Sequence, residues 1–137
     1  MSAISLSDIL TLVRIFKNKW FHHWCGKEGI ADALLVKVAR DILEGRVEAD
    51  LGGGLFKKRL ARLGRGKSGA YRVIVGYKNP NSERIIFLYA FAKSKKANLS
   101  TNEEAVLSTV AESFIKASDA QVDELLKKGS ILEVERE

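Results

Sequence analysis

Lys57, Arg59 and Arg72 are the residues whose types and spacing best suit chemistry, and that chemistry concerns phosphates. The run LFKKRLAR, from Leu55 to Arg62, reads as a strand. Alternation then sends Lys57 and Arg59 to one face and Lys58 and Arg62 to the other. In YRVIVGY, Tyr71, Val73, Val75 and Tyr77 form one row, and Arg72 stands on the opposite row with Ile74 and Gly76. With the Tyr-Val row turned toward helices, Arg72 projects from the outer face, where Lys57 and Arg59 join it across the ladder. Cleavage of an RNA phosphodiester by its own 2′-hydroxyl needs a base, an acid and stabilisation of a crowded phosphorane. A lysine among other cations gives up its proton more readily than a free one and can take the base role. Arginines neutralise the charge that develops on the phosphate.

The charge distribution points the same way. Between Leu51 and Lys96 stand twelve Lys or Arg against Glu83 alone, a local balance of +11, although the whole chain carries only +6. The first fifty residues are neutral and the last forty-one come to −5. Cations this crowded repel one another unless an anion is present. They attract polyanions over a Debye length of about 8–10 Å. A nucleic-acid backbone is the expected ligand.

These side chains must be positioned by regular elements, and the pattern supplies them. LVRIFK, from Leu12 to Lys17, reads as a strand. NKWFHHWCGKEG reads as a helix with Trp20 and Trp24 on one face as its core, broken at Gly26 and Gly29. Ala31, Leu34, Leu35, Val38 and Ile42 keep helical spacing up to Gly45. After Gly52-Gly53-Gly54 come LFKKRLAR, YRVIVGYK and RIIFLYAFAK as three strands, with Asn79, Pro80, Asn81 and Ser82 as turn chemistry. RIIFLYAFA is apolar without alternation and belongs at the centre of the sheet. Ser100 with Glu103, and Ser118 with Gln121, are capping boxes opening two further helices. ILEVERE is a loose tail or an edge strand. Runs of strands beside runs of helices predict an α+β fold with an antiparallel sheet of about four strands. A chain of 137 residues suits one domain, 1–137, with its core at about 12–118 and a C-terminal helix and acidic tail at 119–137.

Other chemistries find no support. Gly64 to Gly69 fits GxGxxG, but Tyr71 opens a strand after it, and Ala61 stands where a phosphate-binding loop needs glycine. The loop instead brings Arg65 and Lys67 to a ligand. His22 and His23 diverge on a helix, and His22 with Cys25 finds no second pair, so neither a metal nor a cofactor is expected. One cysteine, no membrane-length apolar run and the start MSAISLSDIL lead to the expectation of a cytoplasmic protein with no membrane partner.

KWFHHWCGKEGIADALL, DLGGGLFKKRLARLGRGKSGAYRVIVGYKN and RIIFLYAFAKSKKANLS together resemble a RelE/HigB-type toxin of a bacterial type II toxin–antitoxin system, over roughly Phe16 to Ser118. The resemblance implies the RelE-like fold, a twisted antiparallel sheet packed on N-terminal helices with C-terminal helices following. It implies a metal-independent endoribonuclease that cuts mRNA on the ribosome and inhibits translation, with a cognate antitoxin as partner. The family's cationic strand motif falls on Leu55, Lys57 and Arg59, its Tyr-Arg strand start on Tyr71 and Arg72, and its basic turn near Lys93, Lys95 and Lys96. Lys57 or Arg59 would transfer protons and hold phosphate, and Arg72 would clamp the transition state. Lys58, Arg62, Arg65, Lys67, Lys93, Lys95 and Lys96 would grip the RNA. The family's C-terminal stacking tyrosine has no counterpart, because no tyrosine follows Tyr89. That departure sustains an alternative, a toxin of the same fold that inhibits DNA gyrase or a non-catalytic basic nucleic-acid-binding module.

Overall fold

The computed structural model describes residues 13–61, 70–78 and 84–136. In chain order these form β1 (Arg14–Asn18), α1 (Lys19–Glu28), α2 (Asp32–Leu43), β2 (Ala49–Gly52), β3 (Leu55–Leu60), β4 (Tyr71–Gly76), β5 (Arg84–Ala92), α3 (Thr101–Lys116), α4 (Asp119–Lys127) and β6 (Ile131–Glu133). The strands make one sheet in the order β2-β3-β4-β5-β1-β6. The α+β class is as the sequence predicts, but the sheet has six strands instead of about four. Moreover, among the described residues β1 runs parallel to β5 while the other four pairs are antiparallel. The tail resolves as the edge strand β6, paired with β1 and tied to it by the two hydrogen bonds Arg14 donates to Glu133 at 2.8 and 3.0 Å.

β2 has too few apolar residues to read as a strand, and it forms because Gly52, Gly53 and Gly54 turn the chain back on β3. All three adopt positive φ, which glycine reaches without strain. β5 is buried from Ile85 to Phe91 except at Tyr89, as a central strand should be. Its ladder to β4 shifts register between Ile74 and Val75, so Leu88 has no opposite number.

Two apolar layers sandwich the sheet. On one side Phe21, Cys25, Leu35, Val38 and Ile42 of α1 and α2 meet Ile15, Val73, Val75, Ile85 and Phe87. On the other, Ala111 and Phe114 of α3 and Val122 of α4 meet Phe16, Leu55, Ile74, Ile86 and Phe91. The Tyr-Val row of β4 does face the N-terminal helices. The opposite face, expected to be open, is covered by α3 at its Leu55–Gly76 end. The apolar stripe Leu107, Ala111 and Phe114 needs burial, and Ile74 and Gly76 provide the matching surface.

Both capping boxes form as the sequence predicts. Gly29 ends α1 in the left-handed region, whereas Gly26 sits inside the helix without breaking it. Trp20 is the other departure: Phe21 and Cys25 carry the core of α1, and Trp20 is exposed. One step around the helix separates the two rows, and Trp20 lies against the half-buried Tyr89 of β5 instead of entering the core. Burial pushes the Cys25 thiol up to about 11, consistent with a packing role.

Gly76 lets α3 approach the sheet. A Cβ there would lie 3.1 Å from both Ala111 Cβ and Ile86 Cγ2, each held in the core. We expect Gly76→Val to destabilise the protein by about 1–3 kcal/mol through overpacking. Urea unfolding of the variant at wild-type stability would show that α3 is free to move aside.

Candidate functional site

The ladder between β3 and β4 decides which cations share a surface. Arg59 lies opposite Arg72, which lies opposite Phe91, and Lys57 lies opposite Ile74, which lies opposite Tyr89. Leu55 and Ile74 of the same rows sit under α3 and α4, so Lys57, Arg59 and Arg72 share the face beyond the N-terminal end of α3. Lys58 points the other way, to Asp41 of α2 at 3.4 Å. Arg62, Arg65 and Lys67 lie outside the described residues.

The segment after β5 folds back over this face. Asn98 reaches Lys57, two strands away, and accepts a hydrogen bond from its Nζ at 3.1 Å. Lys93 donates to the Ala97 carbonyl at 2.5 Å and so braces the turn. Lys95 is exposed. Lys96 is ion-paired with Glu103 of the α3 capping box, a contact that raises the Lys96 ammonium and lowers the Glu103 carboxyl from their ordinary values. Lys96 Nζ also stands 5.5 Å from the Tyr89 ring and 5.9 Å from the Phe91 ring.

Glu48 is the residue that sequence reasoning missed. Its backbone N–H donates to the Lys57 carbonyl at 2.8 Å, which places its side chain between Lys57 and Arg72. Glu48 Oε1 is 3.5 Å from Lys57 Nζ, and Oε2 is ion-paired with Arg72 Nε. The Arg72 contact is electrostatic and not an aligned hydrogen bond, since this buried Nε has no hydrogen-bond partner within the described structure. The Lys57 and Arg72 side chains are only 11 and 13% exposed. Two largely enclosed cations on one face of neighbouring strands need a counter-charge, and Glu48 provides it. The available signal was the glycine run. Read as a hairpin turn, it pairs Ala49 with Lys57 and brings Glu48 alongside.

The site thus contains an acceptor-only carboxylate between a lysine and an arginine. Arg59 beside them is exposed and has no ion-pair partner among the described residues. No group of three or more His, Cys, Asp or Glu able to hold a metal occurs among the described residues. None of the described helices is long and apolar enough to cross a membrane.

A mixed sheet between two helix pairs, with Lys57, Arg59 and Arg72 gathered toward one end of one face, defines a small α+β protein with a cationic surface. The chain belongs to the RelE toxin family: the family model described as the RelE toxin of the RelE/RelB toxin–antitoxin system matches residues 13–134. It is therefore a toxin-type component, and an antitoxin partner follows from the family. No curated protein matches the chain.

Proposed function

We propose that this toxin is an endoribonuclease that cleaves mRNA on the ribosome and so inhibits translation. The observation that carries the reading is the Lys57–Glu48–Arg72 cluster beside exposed Arg59. An RNA phosphate entering this face replaces Glu48 as the partner of Arg72 and pairs with Arg59 as well. Glu48, released toward the ribose, accepts the proton of the 2′-hydroxyl as its oxygen bonds to phosphorus. The bond from phosphorus to the 5′-oxygen breaks, and the Lys57 ammonium donates a proton to the departing oxygen. Arg72 stabilises the phosphorane oxygens. The products are a 2′,3′-cyclic phosphate and a 5′-hydroxyl end. Lys57 is thus assigned acid and phosphate-binding roles, with Glu48 as the base. Lys95 and Lys96 hold the flanking backbone. The strings Gly52–Leu55 and Ala90–Lys93 support a place in the HigB-like part of the family.

Glu48→Gln tests the assignment, because it keeps the shape and removes the base. We expect kcat for mRNA cleavage in a translation extract to fall on the order of a hundredfold or more. RNA affinity at low salt should rise, since one competing negative charge is lost. Wild-type or faster cleavage would reduce Glu48 to a counter-ion. Plasmid supercoiling measured in parallel separates the gyrase reading: altered topoisomers with intact transcripts would replace ribonuclease activity.

A further inference from the structure

Beside the cationic face runs a ladder of aromatic rings that the cleavage chemistry does not use. Phe91, Tyr89, Trp20 and Trp24 follow one another at centroid separations of 6.2, 4.7 and 6.5 Å. The two indoles are within 10° of parallel. One end is anchored, since Trp24 meets Tyr71 edge-on at 4.9 Å and packs on buried Phe21 at 5.3 Å. The base of the ladder is fixed as well: Asn18 caps α1 by accepting from Phe21 N–H at 2.7 Å and donates to the Leu88 carbonyl at 2.9 Å. Trp20 is therefore held in place, yet it is 45% exposed. Cations border the rings, with Lys96 over Tyr89 and Phe91 and Arg72 opposite Phe91 in the ladder.

We propose that Trp20 and Tyr89 form a base-stacking subsite for single-stranded RNA alongside the cationic face, an inference that rests on the ribonuclease reading. Rings interleaved with ammonium and guanidinium groups complement a polymer in which bases alternate with phosphates. An apolar helix of a protein partner would instead have to accommodate Lys95 and Lys96 against its buried stripe. Tyr89 stands one strand from Arg72, about 5 Å between strand axes, so a base stacked there belongs to a nucleotide next to the phosphate at Arg72. Trp20 extends the shelf outward and fixes which side of the scissile phosphate is gripped. Every base has a π-face, so the subsite contributes affinity and register with little sequence preference.

The test uses the full chain and two probes, a short single-stranded RNA made uncleavable by 2′-O-methyl groups and an abasic ribose-phosphate strand of equal length. Binding is measured by fluorescence anisotropy at low salt for wild type, Trp20→Ala and Trp20→Phe. Trp20→Ala is expected to weaken RNA binding about tenfold, with Trp20→Phe recovering most of the loss. The abasic strand should bind wild type and Trp20→Ala alike, with the same salt dependence, because no phosphate contact is removed. If wild type binds RNA and Trp20→Ala binds it as tightly, or loses the abasic strand equally, the stacking subsite is wrong while the cationic reading stands. Failure of wild type to bind RNA removes both. Should the alanine variant unfold, tryptophan fluorescence decides: the RNA must quench wild type more than Trp20→Phe, and equal quenching overturns the subsite.

Discussion

Arg72→Ala is expected to lower mRNA cleavage in a translation extract on the order of a hundred- to a thousandfold. Arg72 sits opposite both Arg59 and Phe91, with its guanidinium largely enclosed and its charge balanced by Glu48 alone among the ion pairs described. In the proposed mechanism phosphate replaces Glu48, and a planar donor in so sheltered a place would follow the charge that grows on the phosphorane oxygens. Arg72→Lys is expected to restore little, because a point charge cannot present the same fork. The loss should fall on kcat more than on RNA affinity, since Arg59, Lys95 and Lys96 still attract the backbone. In the variant Glu48 keeps Lys57 as a partner, so the melting temperature should change by only a few degrees. If Arg72→Ala and Lys57→Ala both cut at the wild-type rate, the cationic face is not the catalytic centre.

Asp32→Ala is expected to destabilise the fold by about 3–5 kcal/mol, the cost of leaving a buried charge unpaired. Lys17 is only 6% exposed, and its Nζ donates to Asp32 Oδ1 at 2.7 Å. The other oxygen of Asp32 accepts from the backbone N–H of Glu135 at 2.7 Å. One carboxylate thus neutralises β1 and fastens the chain just beyond β6 to the start of α2. The double variant Lys17→Met with Asp32→Ala should regain most of the loss, because an apolar replacement of both partners leaves no orphan charge. Urea unfolding measures each. The same carboxylate sets an acid limit. Burial pushes the Asp32 carboxyl up, but the Lys17 and Glu135 hydrogen bonds outweigh it and hold the group below the ordinary range. An acid more readily ionised in the folded than in the unfolded state stabilises the fold above its unfolded value, near pH 4. That contribution disappears as pH falls through the lower folded value. Wild type should therefore lose stability below about pH 4 more steeply than Asp32→Ala does, and equal slopes would contradict the assignment.

Much of the architecture was legible because it rests on local rules. Ser100 with Glu103 and Ser118 with Gln121 announce helix starts, since both partners of each box lie three residues apart. The alternation of LFKKRLAR and YRVIVGY separates Lys57, Arg59 and Arg72 from Lys58, because strand geometry allows nothing else. Continuous apolarity marks β5 as central. β2 escaped notice because ADLG carries no strand pattern of its own and exists only through pairing with β3. The parallel β1–β5 pair could not be read either, as it joins segments some seventy residues apart.

The sequence by itself determined the cation content, its concentration between Leu51 and Lys96, the face each strand cation takes and the helix boundaries at the capping boxes. These depend on composition and on periodicities within a few residues. Tertiary structure alone decided that Glu48 stands between Lys57 and Arg72, that Asn98 crosses two strands to reach Lys57, and that Trp20 leaves the core to stack on Tyr89. Each of these is a contact across strand pairs or between helix and sheet, where electrostatic balance and packing over the whole sheet choose the partner.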